Sequence, residues 1–216
     1  MIKMNPVHKL FCFTLGFTLL LVIARMFYTG GHAFIFLFWN LFLAWIPLFL
    51  TYHFRHGKGY LVRNIILLTG WLLFFPNALY LVTDLVHLGD RDDAPQWFDI
   101  ILLFSGVMNG LMLGYASIIK VDIFLRNYFT VRKVNFLLLV SLFIGSFGVY
   151  LGRFLRWNSW DVVTKPGSLF SELFTQVASP LMHPRAWAMT CTLSLFFALF
   201  YFTLRKLPGL LAEKNT

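Results

Sequence analysis

The chain has 216 residues, of which 59% are hydrophobic and 12% charged, and its mean hydropathy is +0.73; soluble domains average about 45–50% apolar and about 25% charged. This excludes a water-soluble globule, and with it disorder, collagen and a disulfide-dense secreted scaffold, because helices apolar on every side need lipid as their solvent. Cys12 and Cys191 both fall inside apolar runs, where a thiol behaves as a small hydrophobe and builds neither a disulfide framework nor a metal site.

A crossing helix needs about 20 mainly apolar residues. Six stretches qualify, at about 10–28, 32–52, 61–81, 98–119, 131–151 and 187–204. The expected fold is therefore an all-α membrane protein, a single polytopic domain over 1–216 built as a six-helix transmembrane bundle. Lys3 and Lys9 precede the first stretch as in a signal peptide. That run is too long for an h-region, and no small-x-small cleavage site follows before Arg25, so it reads as an uncleaved span. Pro47 and Pro76 are expected to kink the second and third spans, each freeing a carbonyl that Asn40 or Asn77 can help satisfy. The fourth span carries Gly106, Gly110 and Gly114 at four-residue steps, and the fifth carries Ser141, Gly145, Gly148 and Gly152 on one arc. Small residues let helix backbones approach where lipid gives no hydrophobic drive, so these two faces should make the tightest helix contacts.

The segment from Gly152 to Ala186 is too long for a plain connector. Within it, Leu169, Phe170, Leu173, Phe174 and Val177 recur at helical spacing between Ser168, a candidate N-cap, and Pro180. This predicts an amphipathic helix over 168–179 that lies in the membrane interface or packs over the bundle as a lid.

Six spans place both termini and the second and fourth loops on one face. That face holds twelve of the eighteen basic residues against only Asp122 and Glu213, a net +10, while the other has six basic and seven acidic residues, a net −1. By the positive-inside rule the basic face is cytoplasmic, giving an N-in/C-in topology. The excess charge orients the chain and touches anionic membrane lipids. It forms no basic stripe with stacking aromatics, so nucleic acid is not an expected partner.

Polar residues gather at the acidic face. Asn77, Tyr80, Asp84, His87 and Arg91 share an arc of about 80° if the third helix persists. A polar stripe inside a bilayer usually faces a bundle interior or cavity, which makes it a candidate site; alternatively Asn77 and Tyr80 bridge helices while Asp84 and His87 meet water. Asp84 and His87 stand one turn apart, with Asp90, Asp92 and Asp93 following. They are candidate catalytic acid and base, or ligands to a divalent metal if His183 or Asp161 approaches, and the same residues also fit a solvated acidic loop. After the fifth span, Tyr150, Arg153, Trp157, Trp160 and Asp161 occupy an arc of about 100° if that helix runs on. Arg153 and Arg156 suit a phosphate or carboxylate, and Trp157 and Trp160 an acyl chain or sugar. Two other readings stand beside this one, a snorkelling arginine with belt tryptophans and a structural Arg153–Asp84 ion pair.

The segments FPNALYLVTDLVHL, residues 75–88, and GVYLGRFLRWNSWD, residues 148–161, resemble the bacterial membrane-protein family catalogued as domain of unknown function 1361, from NLFLAWIP in the second span onward. The resemblance implies a multi-pass protein of the bacterial cytoplasmic membrane and no activity, substrate or cofactor. The leading functional expectation is a membrane-embedded enzyme with an outward site for a lipid-linked, anionic or envelope substrate. Asp84 and His87 would act in it as base and acid or metal ligands, and Asn77, Tyr80, Arg153, Arg156, Trp157, Trp160 and Asp161 would bind substrate. A small-solute transporter should show polar groups through the basic half of the third span, which offers only Asn64 and Thr69 as uncharged polar residues, and no inverted repeat is apparent. A structural subunit binding partner helices through its glycine faces is the third class.

Overall fold

A computed structural model describes residues 6–89 and 93–212. Among them every regular element is helical: α1 Pro6–Thr29, α2 Phe36–Thr51, α3 Leu61–Tyr80, α4 Gln96–Leu125, α5 Val131–Phe154, the single turn α6 Asp161–Thr164, α7 Pro166–Ala178 and α8 Pro184–Ala212. Short 3₁₀ turns cover Lys58–Tyr60 and Pro180–Met182, and a longer one, Leu81–His87, extends α3. Five helices are long and apolar enough to cross a membrane: His8–Thr29, Leu61–His87, Gln96–Leu125, Val131–Phe154 and Pro184–Pro208.

The sixth expected span is shorter than its apolar stretch. α2 has 16 residues, about 24 Å at 1.5 Å per residue against a hydrocarbon core of about 30 Å. Its start is delayed because Gly30 and Phe34 take positive φ, 65° and 62°. The bend folds Phe34 inward, where its ring lies 4.7 Å from the Arg25 guanidinium. The helices run through Pro47 and Pro76. α7 begins at Pro166, a favoured first helical position, so Ser168 lies inside the helix and does not cap it.

α3 is the central rod, with α2, α4 and α5 around it, α1 outside α4 and α8 outside α5. Both glycine faces press on it. A Cβ on Gly110 would stand 2.8 Å from the Ala78 carbonyl oxygen, and one on Gly148 would stand 2.6 Å from Pro76 Cγ. The buried apolar core divides along α3: Phe75 and Leu79 pack toward α5 and α8, and Ala78 and Leu81 toward α1 and α2.

Polar contacts tie together the two ends of the bundle. At the basic end Asp122 of α4 accepts from Arg126 at 2.6 Å and from the Tyr201 hydroxyl of α8 at 3.1 Å, and Arg205 donates to Asn135 of α5 at 2.9 Å. At the acidic end Arg25, 1% exposed, makes a two-pronged bond to Asp99 at 2.7 and 2.9 Å and a third to Asp93 at 2.7 Å, fastening α1 to the start of α4.

Candidate functional site

The acidic end also holds the residues singled out from the sequence. After Tyr80 the chain tightens into the Leu81–His87 3₁₀ turn, in which side chains three apart eclipse, so Asp84 and His87 still project together. Arg153, in the last turn of α5, crosses to meet them. Its Nη1 donates to the Tyr80 hydroxyl oxygen at 3.0 Å and to Asp84 Oδ1 at 3.4 Å, and its Nη2 donates to the Thr83 carbonyl at 2.9 Å. Nη2 also lies 3.2 Å from His87 Nε2. From α2, Asn40 donates to the other Asp84 oxygen at 3.0 Å. Asn40 therefore serves the carboxylate and not the carbonyl released at Pro47.

Asp84 is 1% exposed and Arg153 15%. An unpaired carboxylate so placed is strongly destabilising, and the guanidinium with the Asn40 amide compensates it. The arginine also fills the space between Asp84 and His87 where a divalent ion would have to sit. Among the described residues no group of three His, Cys, Asp or Glu gathers. Asp90, Arg91 and Asp92, part of the metal expectation and of the polar stripe, lie outside the described residues.

Asn77 turns to the other side of α3. Its amide donates to the Phe74 carbonyl and to Ser159 Oγ, both at 2.9 Å, and Ser159 donates to the Leu73 carbonyl at 3.1 Å. Two side chains thus serve backbone loosened around Pro76.

The helical arc expected beyond Arg153 does not continue. α5 ends at Phe154, Arg156 takes φ 59°, and the Trp157 amide returns to the Leu151 carbonyl at 3.2 Å. A left-handed residue after a helix stops it, and here an arginine takes the place glycine usually holds. Arg156 is left exposed. Trp160 packs edge-on against Trp39 of α2, ring centres 6.1 Å apart.

Asp161 organises its own loop and does not join the Asp84 cluster. Its carboxylate accepts from the Asn158 backbone N–H at 2.8 Å, the Thr164 hydroxyl at 3.0 Å and the Asn158 amide at 3.4 Å. The backbone bond foremost holds its pKa below the usual carboxylate value. A depressed folded-state pKa contributes stability that is complete above the unfolded value of about 3.9 and is lost as pH falls through the folded one. An acid titration of tryptophan emission should therefore show this loop unchanged down to about pH 4 and loosening only below it. The transition should be missing from the difference curve of Asp161→Asn; one centred above pH 4 would contradict the assignment.

Between α2, α3, α5, the 156–162 loop and α7 lies a cavity of about 430 Å³. Away from the acidic end its lining is mainly apolar, with Leu43, Leu72, Leu73, Phe147 and Leu173, and includes one hydroxyl residue, Thr69. Toward the acidic end it is bordered by Asn40, Asn77, Tyr80, Asn158 and Ser159, with the indoles of Trp39 and Trp157. α7 closes one side with Leu169 and Leu173 while Phe170, Phe174 and Val177 stay exposed. Of the residues expected at a site, Tyr80, Asp84, His87 and Arg153 converge, Asn77 and Trp157 join the cavity, Trp160 flanks it through Trp39, and Arg156 and Asp161 do not border it. Sequence reasoning missed the roles of Asn40 and Ser159, whose only signal was a polar residue at the edge of an apolar run.

Taken together, the chain is an all-helical protein, without strands among the described residues, built around several apolar helices able to span a membrane. It belongs to the family of proteins of unknown function DUF1361, whose model matches residues 39–200, more than half of the chain. No curated protein and no solved structure shows significant similarity to it.

Proposed function

We propose that this is a six-span protein of the bacterial cytoplasmic membrane, with both termini in the cytoplasm, that takes a lipid-linked envelope molecule into the cavity at its outward end and acts on it as an enzyme. The observation that carries this reading is the graded cavity: a mainly apolar lining, interrupted by Thr69, and a polar border at the acidic end form the complement of an amphiphile entering from a leaflet. α2 is the short sixth span, and its start lies beside the cavity border. α7 rests in the outer interface, its exposed Phe170 and Phe174 in lipid and its Leu169 and Leu173 against the bound chain. Arg156 meets the anionic headgroups of the surrounding membrane.

The hydroxyl of Tyr80 is the group best placed for chemistry. Its oxygen accepts from Arg153, which leaves its own proton to donate to a bound molecule. Asp84 and His87, which contact Arg153 and do not border the cavity, are positioning residues that hold the arginine. The test is lipid extraction and mass spectrometry of detergent-purified protein. Leu173→Trp, which fills the cavity, should lose co-purified lipid several-fold relative to the parent, and Tyr80→Phe should retain it. Identical lipid content in the parent and Leu173→Trp would remove the cavity as a lipid site.

A further inference from the structure

The cavity border carries more information than its polarity. Three amides stand on it, and the partner of each fixes which way it points. The Asn77 nitrogen donates to the Phe74 carbonyl, the Asn40 nitrogen to Asp84 and the Asn158 nitrogen to Asp161. All three partners are acceptors only, so in each amide the nitrogen must face the protein, leaving the oxygen as the free end. None of these oxygens is among the buried unpartnered atoms, and none accepts a hydrogen bond within the described residues, although all three residues border the cavity. The border thus presents three amide acceptors, with an O–H donor from Tyr80 and the indole N–H groups of Trp39 and Trp157 beside them.

Charge is missing from the same surface. No Asp, Glu, Lys or Arg borders the cavity. Arg153, which donates to the bordering Tyr80, has already matched its two terminal nitrogens to Tyr80, Asp84, Thr83 and His87, and its charge is answered by Asp84. A phosphate or carboxylate head brings acceptors to acceptors and leaves an anion desolvated without a counter-ion, which is costly in a water-poor site. A head rich in hydroxyls brings the donors that the three amide oxygens lack, and the indoles of Trp39 and Trp157 offer flat apolar faces to its carbon skeleton.

Resting on the cavity reading above, we infer that the lipid it binds has an uncharged, hydroxyl-bearing head, glycerol or sugar, and not a phosphate. The full chain is reconstituted in phosphatidylcholine nanodiscs with one of three probes carrying the same diazirine-tagged acyl chains: diacylglycerol, monogalactosyl diacylglycerol or phosphatidic acid. Cross-linked peptides are then mapped. One or both neutral probes should label the α3 and α5 peptides that border the cavity about tenfold more than phosphatidic acid does, equivalent to about 1.4 kcal/mol. Labelling by the first but not the second assigns a glycerol head, and the reverse assigns a sugar head. Asn158→Leu, in a loop outside the bundle core, should lower neutral-probe labelling while thermal stability and phosphatidic acid labelling stay unchanged; Asn77→Leu, with a matching stability measurement, provides the second variant. Equal or stronger labelling by phosphatidic acid overturns the uncharged head and leaves chain binding intact. Labelling of the cavity peptides by none of the probes overturns the cavity reading itself.

Discussion

Arg25→Leu is expected to lower the stability of the detergent-solubilised protein by about 3–5 kcal/mol, the cost of removing one partner from a buried ion pair. The guanidinium is 1% exposed and the Asp99 side chain 7%, and two parallel bonds of 2.7 and 2.9 Å join them. With Arg25 gone, the buried Asp99 carboxyl is left without its partner between α1 and α4. Asp99→Leu should cost less, because Arg25 keeps its 2.7 Å bond to Asp93. The double variant should recover much of the loss, since an apolar pair of similar volume often replaces a buried ion pair at little cost. Asp93, 41% exposed, meets water in the two variants that lack Arg25. Arg153→Leu should cost less than Arg25→Leu, because Arg153 is 15% exposed, its Asp84 contact is 3.4 Å, and Asn40 still holds the carboxylate. Unfolding midpoints of the parent and the four variants, measured in one detergent, decide the matter. Strict additivity of the Arg25 and Asp99 losses would show that the pair is not energetically coupled.

The two ion pairs also show how far the amino-acid pattern carried. The approach of Arg153 to Asp84 was legible as one of several readings, because both close a stretch of polar residues at the same end of neighbouring spans, where lipid disfavours stray charge. Arg25 and Asp99 gave no such sign. Each sits alone at the edge of an apolar run, which is how an ordinary snorkelling side chain looks, and 74 residues separate them. The spacing of Asp84 and His87 was legible in the same way, but not that the guanidinium of Arg153, from α5, contacts both. Helix ends were harder to read. Nothing in LRWNS marks a stop, since the chain is turned by an arginine in a conformation that glycine usually supplies. In α7 the apolar positions were plain, but which of them face the cavity follows only from where the helix lies. The cavity needs walls from five segments, none of which identifies it alone.

Substitution of the glycines that face α3 should have the second large effect, and the sites separate close approach from mere glycine content. Alanine normally stabilises a helix interior over glycine by about 1 kcal/mol. At Gly16 a Cβ meets nothing within 4 Å, so Gly16→Ala should be neutral or raise stability by up to that amount. At Gly110 the new Cβ would lie 2.8 Å from the Ala78 carbonyl oxygen, and at Gly148 it would lie 2.6 Å from Pro76 Cγ. One obstacle is backbone and the other a closed ring, and neither can swing away as a flexible side-chain tip would, so α3 itself must shift. Overpacking of this kind costs about 1–3 kcal/mol, against the gain from propensity. The two sites then differ in consequence. Gly148 and Pro76 border the cavity, and Asn77 and Ser159 are fastened to the backbone around Pro76. Gly148→Ala should therefore lose bound lipid as well as stability, whereas Gly110→Ala, on the face of α3 away from the cavity, should keep its lipid per folded molecule. Similar melting temperatures for the Gly16, Gly110 and Gly148 variants would mean that α3 is not clamped between two glycine faces.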